Sequence, residues 1–264
     1  MGTTQRIIPG VTGEPNWGNL SLDVTTVSKT VDKEEQLANE SQPNPKLQQK
    51  LSKRKSTQIK KTVGHLIGAA GGRAAVRSGS SAATGRAGTR VARRLTRLFS
   101  TVGTSGLAGA LATPTAPFDF TGLTVEEVIT RILLLCADGS TGMDETAALA
   151  ACAHVLEQLE QPGQTPQQFE AAMQAAVAGP GLEALLCQYF GYYIFEHLAQ
   201  RFQEKITQLK GPAVAAATFD EIKLDILGRV QVIAATRPLA QIDWAGTQGD
   251  QIIEDIFDSI LALY

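Results

Sequence analysis

The stretch LEALLCQYFGYYIFEHLAQRFQEKITQL, residues 182–209, decides the fold class. It sets Leu182, Leu186, Tyr189 and Tyr193 on one helical line and Ile194, Leu198, Phe202, Ile206 and Leu209 on an adjoining one, a broad apolar face at the helical period. So wide a face has to be covered from two sides. Downstream, Thr218 and Glu221 predict the capped start of a helix carrying Ile222, Ile226, Val230 and Ile233; Ile252, Ile253, Ile256, Phe257, Ile260 and Leu261 predict another. Upstream, Thr124 and Glu127 form a T-x-x-E capping box ahead of Val128, Ile129, Ile132, Leu133 and Cys136. A second helix is expected from Asp144 to Glu160, and Thr165, Pro166 and Gln168 mark the start of a third. No alternating strand pattern competes. The expectation is a mostly α chain in which residues 118–264 form an acidic all-α domain of about six helices, a bundle or an orthogonal array.

Ahead of that domain the composition changes. From Thr62 to Leu111 there is no acidic residue, and Arg73, Arg77, Arg86, Arg90, Arg93, Arg94 and Arg97 are spaced among Gly, Ala, Ser and Thr. Side chains that small build no core of their own, so residues 62–117 are expected to be a Gly/Arg-rich joint with short helices that borrows a surface. Within it VARRLTRLF, residues 91–99, places Val91, Leu95 and Leu98 on one face and Arg93, Arg94 and Arg97 around the other. Such a cationic amphipathic helix can pack on the acidic domain, contact phosphates or lie on an anionic membrane. Gly103, Gly106 and Gly109 read as ordinary loop glycines, since neither a preceding strand nor a Gly-Lys-Ser/Thr sequence makes them a phosphate loop. Gly64 and Gly68 have the spacing that lets a neighbouring backbone come close.

Residues 1–61 are polar, with apolar residues at no sustained period, and are expected to be a disordered basic arm with transient helix from Lys46. Trp17 is either a docking anchor or a lone exposed aromatic. The run KLQQKLSKRKSTQIKK, residues 46–61, holds seven lysines and arginines and no acid. It reads as a solvated linker or a nucleic-acid contact. Over residues 1–120 there are 17 basic residues against 7 acidic; over 121–264 there are 7 against 19. A near-neutral total therefore conceals two halves that attract each other or seek partners of opposite charge.

Cys136, Cys152 and Cys187 have no CxxC spacing and are expected as buried free thiols in a reducing cytoplasm. No apolar run is long enough for a membrane span. His154 and His197 lack a partner at metal-ligand spacing and read as structural histidines, and Leu149 occupies the position where an EF-hand needs its twelfth-position Glu. No catalytic residue, metal or cofactor is expected, and the chain is not expected to be an enzyme.

The MGT start, the block GHLIGAAGGRAAVRSG with ATGRAGTRVARRL, the turn-helix CADGSTGMDETAALAA and the helix LCQYFGYYIFEHL, in that order, resemble the QatB family of bacterial anti-phage proteins. The resemblance implies a non-enzymatic component acting beside an ATPase, a QueC-like enzyme and a TatD-like nuclease. It further implies that the QueC-like enzyme joins a deazaguanine to the amine of Gly2, with Thr3 and Thr4 recognised alongside it. The chemistry is compatible: removal of Met1 exposes a glycyl amine with a pKa of about 7.7–8.0, and Arg6 stands where a myristoylation signal wants Ser or Thr. Other readings are a nucleic-acid-binding adaptor acting through residues 46–97 and a membrane-active effector.

Overall fold

A computed structural model describes residues 15–39, 44–81, 83–112, 118–137, 139, 141–177, 181–236 and 246–264, and these form ten helices. They are α1 (Pro15–Ala38), α2 (Pro45–Ala69), α3 (Arg73–Arg77), α4 (Arg86–Leu111), α5 (Val125–Cys136), α6 (Met143–Glu157), α7 (Pro166–Val177), α8 (Gly181–Lys210), α9 (Pro212–Thr236) and α10 (Thr247–Leu261). The mostly α expectation holds, and α5 to α10 are the six helices foreseen in the acidic half.

The long apolar helix is the axis. Tyr189, Phe190, Tyr193, Leu198 and Ile206 of α8 are buried, and α9, α6, α10, α4, α7 and α1 all pack around it. Phe190 stacks on Phe257 of α10 with centroids 4.5 Å apart, and Tyr193 meets the same ring edge-on at 6.0 Å. The capping box at α5 is present, with Thr124 and Glu127 each bonded to the other's backbone N–H. Thr165 and Gln168 make the same reciprocal pair ahead of α7. Helix α9 differs: it begins at Pro212, six residues before the expected cap. Pro212 lacks the N–H that a first-turn residue leaves unbonded anyway, so Thr218 falls mid-helix, where its hydroxyl donates to the Val214 carbonyl.

The larger difference lies in residues 15–61. Here α1 and α2 form an antiparallel pair whose apolar residues belong to the same core as α8 and α9. Leu20, Val24, Val27 and Val31 are buried at i, i+4, i+7 and i+11. That period is diluted by Thr and Ser, whose hydroxyls are satisfied inside the helix: Thr25 donates to the Ser21 carbonyl at 2.8 Å and Ser28 to the Thr25 carbonyl at 3.0 Å. The side chain of Trp17 and the whole of Gly2, Thr3 and Thr4 lie outside the described residues.

The segment 91–99 is likewise part of something longer. Val91, Leu95 and Leu98 are buried as expected, but α4 runs on through the glycines read as loop and kinks at Gly106 (φ 70°, ψ 173°). Gly64 does allow close approach, since a Cβ there would stand 3.2 Å from the Tyr264 carbonyl oxygen. All three cysteines are free and buried.

Candidate interaction site

The arginines singled out in the sequence fall on α3 and α4, two helices laid against the acidic half. On α3, Arg73 grips Asp258 of α10 in a two-pronged pair, with Nε 2.7 Å from Oδ1 and Nη2 2.6 Å from Oδ2. The bond from Arg73 holds the Asp258 carboxyl below its ordinary range. Arg77 lies 3.6 Å from Asp258 and 3.9 Å from Asp255. On α4, Arg93 bonds Glu254 at 2.6 Å and stands 3.1 Å from Asp250, while Arg90 pairs with the buried Glu145 of α6. Arg94 donates to the carbonyls of Cys136 and Ala137, at 3.1 and 2.7 Å, closing the C-terminus of α5. Arg86 and Arg97 are exposed, and Arg97 borders a groove of about 530 Å³ with Leu98, Leu134 and Leu135.

So α10 presents Asp250, Glu254, Asp255 and Asp258 along the side that α3 and α4 cover, and the two halves of opposite charge meet within one chain. Each of these pairs is partly exposed and contributes about 0.2–1 kcal/mol. Their role is register more than strength.

Beneath this seam lies a polar cluster that spacing along the sequence did not reveal. The Tyr193 hydroxyl accepts from the Gly85 N–H at 2.6 Å, donates to Asp144 and lies 2.9 Å from the Thr84 hydroxyl. Thr84 is 2.7 Å from Nε2 of His197, which is itself 3.1 Å from Asp144. Asp144 also accepts the Ala87 N–H at 2.8 Å, so a carboxylate from α6 satisfies a first-turn donor of α4 and sits at the positive end of that helix. On the far side Arg201 places Nη1 2.6 Å from Nδ1 of His197. A guanidinium only donates, so Nδ1 accepts and the His197 proton resides on Nε2, facing Thr84 and Asp144.

Electrostatics follow from burial. His197 is 1% exposed; burial, reinforced by the Arg201 charge, pushes its pKa down, which keeps it neutral. Burial pushes the Asp144 carboxyl up, but the bonds from His197, Tyr193 and Ala87 prevail and hold it below its usual value, ionised. Arg201 is lowered to about 10 by burial. The chain must turn tightly to reach this cluster: Gly85 has φ 109°, and a Cβ there would stand 2.1 Å from the Val76 carbonyl oxygen, which leaves room only for glycine. Buried at Thr84, Tyr193 and His197 and reaching the surface only at the edges of Asp144 and Arg201, the cluster clasps the start of α4 onto α6 and α8.

His154 stacks on Tyr192 and lies 2.9 Å from Glu196, whose bond raises its pKa. Both histidines read as structural are therefore partnered side chains. Among the described residues no group of three or more His, Cys, Asp or Glu is placed to hold a metal ion, and no helix is long and apolar enough to cross a membrane. The one signal that could have pointed to the cluster is the spacing of Tyr193, His197 and Arg201 at i, i+4 and i+8, which puts three polar groups on one line of α8.

A family model, Qat anti-phage system associated protein QatB, matches residues 77–264. The chain belongs to the QatB family. The match takes in the last residue of α3, the whole polar clasp and all of α4 to α10, so the Arg90, Arg93 and Arg94 contacts lie inside the QatB region. Helices α1 and α2 lie outside it. No curated protein matches the chain. No solved structure matches it either. Membership makes the protein a component of the Qat anti-phage system.

Proposed function

We propose that within the Qat system this chain acts as a non-catalytic partner protein in the cytoplasm, and that its Gly2 amine is the acceptor for a deazaguanine added by a QueC-like enzyme. The observation that carries this is membership of the QatB family, taken together with the Gly-Thr-Thr sequence behind Met1. The chemistry asks little of this chain. A neutral glycyl amine attacks an activated carbon on the base's 7-substituent; a C–N bond forms, the activating group leaves with its bonding electrons, and the amine gives up a proton. A pKa of about 7.7–8.0 keeps an appreciable fraction of that amine neutral near pH 7. With no Cβ on Gly2, the first residues enter a narrow pocket at small steric cost, and Thr3 and Thr4 supply hydroxyls for recognition.

The ATPase and the TatD-like nuclease of the system are the other proposed partners. Arg86 and Arg97, exposed on α4, are the arginines best placed to reach a partner. Arg73, Arg77, Arg90, Arg93 and Arg94 already serve α10, α6 and α5, and this disfavours a nucleic-acid contact through the Gly/Arg segment. The apolar face of α4 is buried in the core, which disfavours its use as a membrane-active helix.

Intact-protein mass spectrometry of the chain expressed with and without the QueC-like enzyme tests the Gly2 assignment. A base-sized mass gain confined to the N-terminal peptide, and lost on Gly2→Trp, is the expected result. An unmodified N-terminus in a system that still restricts phage would overturn it.

A further inference from the structure

Independently of that role, we propose that the outward face of α2 binds the phosphodiester backbone of nucleic acid. Helix α2 divides cleanly. Leu51, Ile59, Thr62, Val63, Leu66 and Ile67 face the core, while Lys46, Lys50, Lys53, Arg54, Lys60 and Lys61 are exposed on the opposite side at i, i+4, i+7, i+8, i+14 and i+15. Lys55, the remaining cation of the run, turns the other way and is held by Glu34 at 2.6 Å and Glu221 at 2.9 Å.

The face is not neutralised by its neighbours. No acidic residue occurs between Glu40 and Asp119. The adjacent helix α1 offers Asp23 and Glu34, but Asp23 is shared by Lys61 at 3.2 Å and His65, and Glu34 is taken by Lys55. Among the described residues Lys46, Lys50, Lys53, Arg54 and Lys60 enter no ion pair, in contrast to Arg73, Arg90 and Arg93. At 1.5 Å per residue the exposed cations extend over about 22 Å.

What such a face can bind follows from what it lacks. Between the cations stand Gln49 and Thr57, also exposed, with no apolar side chain. A protein partner needs an apolar centre to bury, and an interfacial membrane helix needs its apolar side free, whereas that side of α2 is inside the core. A phosphate backbone needs only positive charge and hydrogen-bond donors. Duplex DNA carries one negative charge per ~1.7 Å, so roughly 13 phosphates lie along the length of this face. The proposed contact is therefore independent of sequence and sensitive to salt. It also lies on a helix outside the region matched by the family model.

The test uses the full chain and a fluorescein-labelled mixed-sequence 20-bp DNA duplex, with anisotropy read from 50 to 200 mM NaCl. Five phosphate contacts predict a slope of log K against log salt of about −4.5. Replacing Lys46, Lys50, Lys53, Arg54 and Lys60 together by Gln is expected to weaken binding at 50 mM salt by more than about tenfold and to flatten the slope to below about 1. A version with Arg at all five positions is expected to retain binding, and far-UV circular dichroism checks that both variants stay helical. Should the five-Gln variant lose helicity, Lys46→Gln, Lys50→Gln and Lys53→Gln in one chain are expected to shallow the slope by about 2.7. No binding by the wild-type chain at 50 mM salt would overturn the proposal, as would an unchanged slope in a folded variant. Tighter binding to poly-glutamate, or to vesicles containing phosphatidylserine, than to the duplex would also overturn it, assigning the face to an acidic protein or to a lipid surface.

Discussion

Tyr193→Phe removes one oxygen atom and leaves the packing of α8 intact, so its cost reports the polar clasp alone. That hydroxyl has three partners. Its bond to the ionised Asp144 is of the charged kind, worth about 1.5–3 kcal/mol, and the Gly85 N–H that it accepts at 2.6 Å would be left buried without its acceptor, a further cost of about 1–3 kcal/mol. Because Thr84 and His197 can partly re-pair with Asp144, the two terms do not add in full, and a loss of about 3–4 kcal/mol is expected. Tyr189→Phe is the internal control. Its hydroxyl donates at 2.9 Å to the Gly88 carbonyl, within α4, so its removal should cost only about 1 kcal/mol. Urea unfolding followed by circular dichroism at pH 7 measures both, with an unchanged m-value required for the comparison. Combining Tyr193→Phe with Asp144→Asn should give a coupling of more than about 1 kcal/mol. If Tyr193→Phe costs no more than Tyr189→Phe, the clasp does not hold α4 in place and the reasoning fails.

Leu20→Ala should destabilise the whole protein by about 2–5 kcal/mol in a single cooperative transition, because Leu20 is fully buried against the common core; a change within about 0.5 kcal/mol would mean that α1 is not part of it. Arg73→Gln with Arg93→Gln should cost about 1–2 kcal/mol at low salt and much less in 1 M NaCl, since both pairs are partly exposed and screened; equal losses at both salt concentrations would argue against an electrostatic seam. His197, with its folded pKa depressed below the unfolded value of about 6.5, takes up its proton more readily when unfolded, so its contribution to stability declines as pH falls below that value. His154, raised by Glu196, acts in the opposite sense. Relative to His197→Gln, the wild type should therefore lose stability between pH 7 and pH 5 in urea titrations, and a relative gain would refute the buried neutral imidazole.

The helices of the acidic half were legible because their caps and apolar periods coincide: Thr124 with Glu127, Thr165 with Gln168, and the paired lines of α8 as far as Ile206 appear where the pattern placed them, while Leu209, expected on the apolar face, is exposed at the last turn. Helix α1 was less legible. Its four core residues keep a helical period, but Thr25, Thr26, Ser28 and Thr30 stand among them, and the composition of Thr and Ser resembles that of a solvated arm until their bonds to backbone carbonyls are seen. The glycines of α4 misled for a related reason. Gly106 bends a helix without ending it, and the propensity of one residue says little about packing on both sides. The clasp was not read from the sequence, since Thr84, Asp144, Tyr193 and His197 come from three separate stretches and Tyr193 was counted with the apolar line of α8. For the Arg segment the sequence left open whether its charges seek a partner or the chain's own acids, because charge asymmetry carries no distance; the geometry of α10 answers for Arg73, Arg77 and Arg93.

The order of charges along the chain also matters while the protein is being made. Arg93 leaves the ribosome 157 residues before Asp250, and at about 5–20 residues per second that interval is roughly 8–30 s. Through it the nascent chain displays its basic half with α10 not yet made, and for the first 64 residues with α6 incomplete as well, in the immediate vicinity of ribosomal RNA. The acidic helices that arrive last thus neutralise in cis a segment that would otherwise cling to the machine that made it, and a chain truncated before α10 would leave Arg73, Arg77 and Arg93 uncovered for the rest of its life.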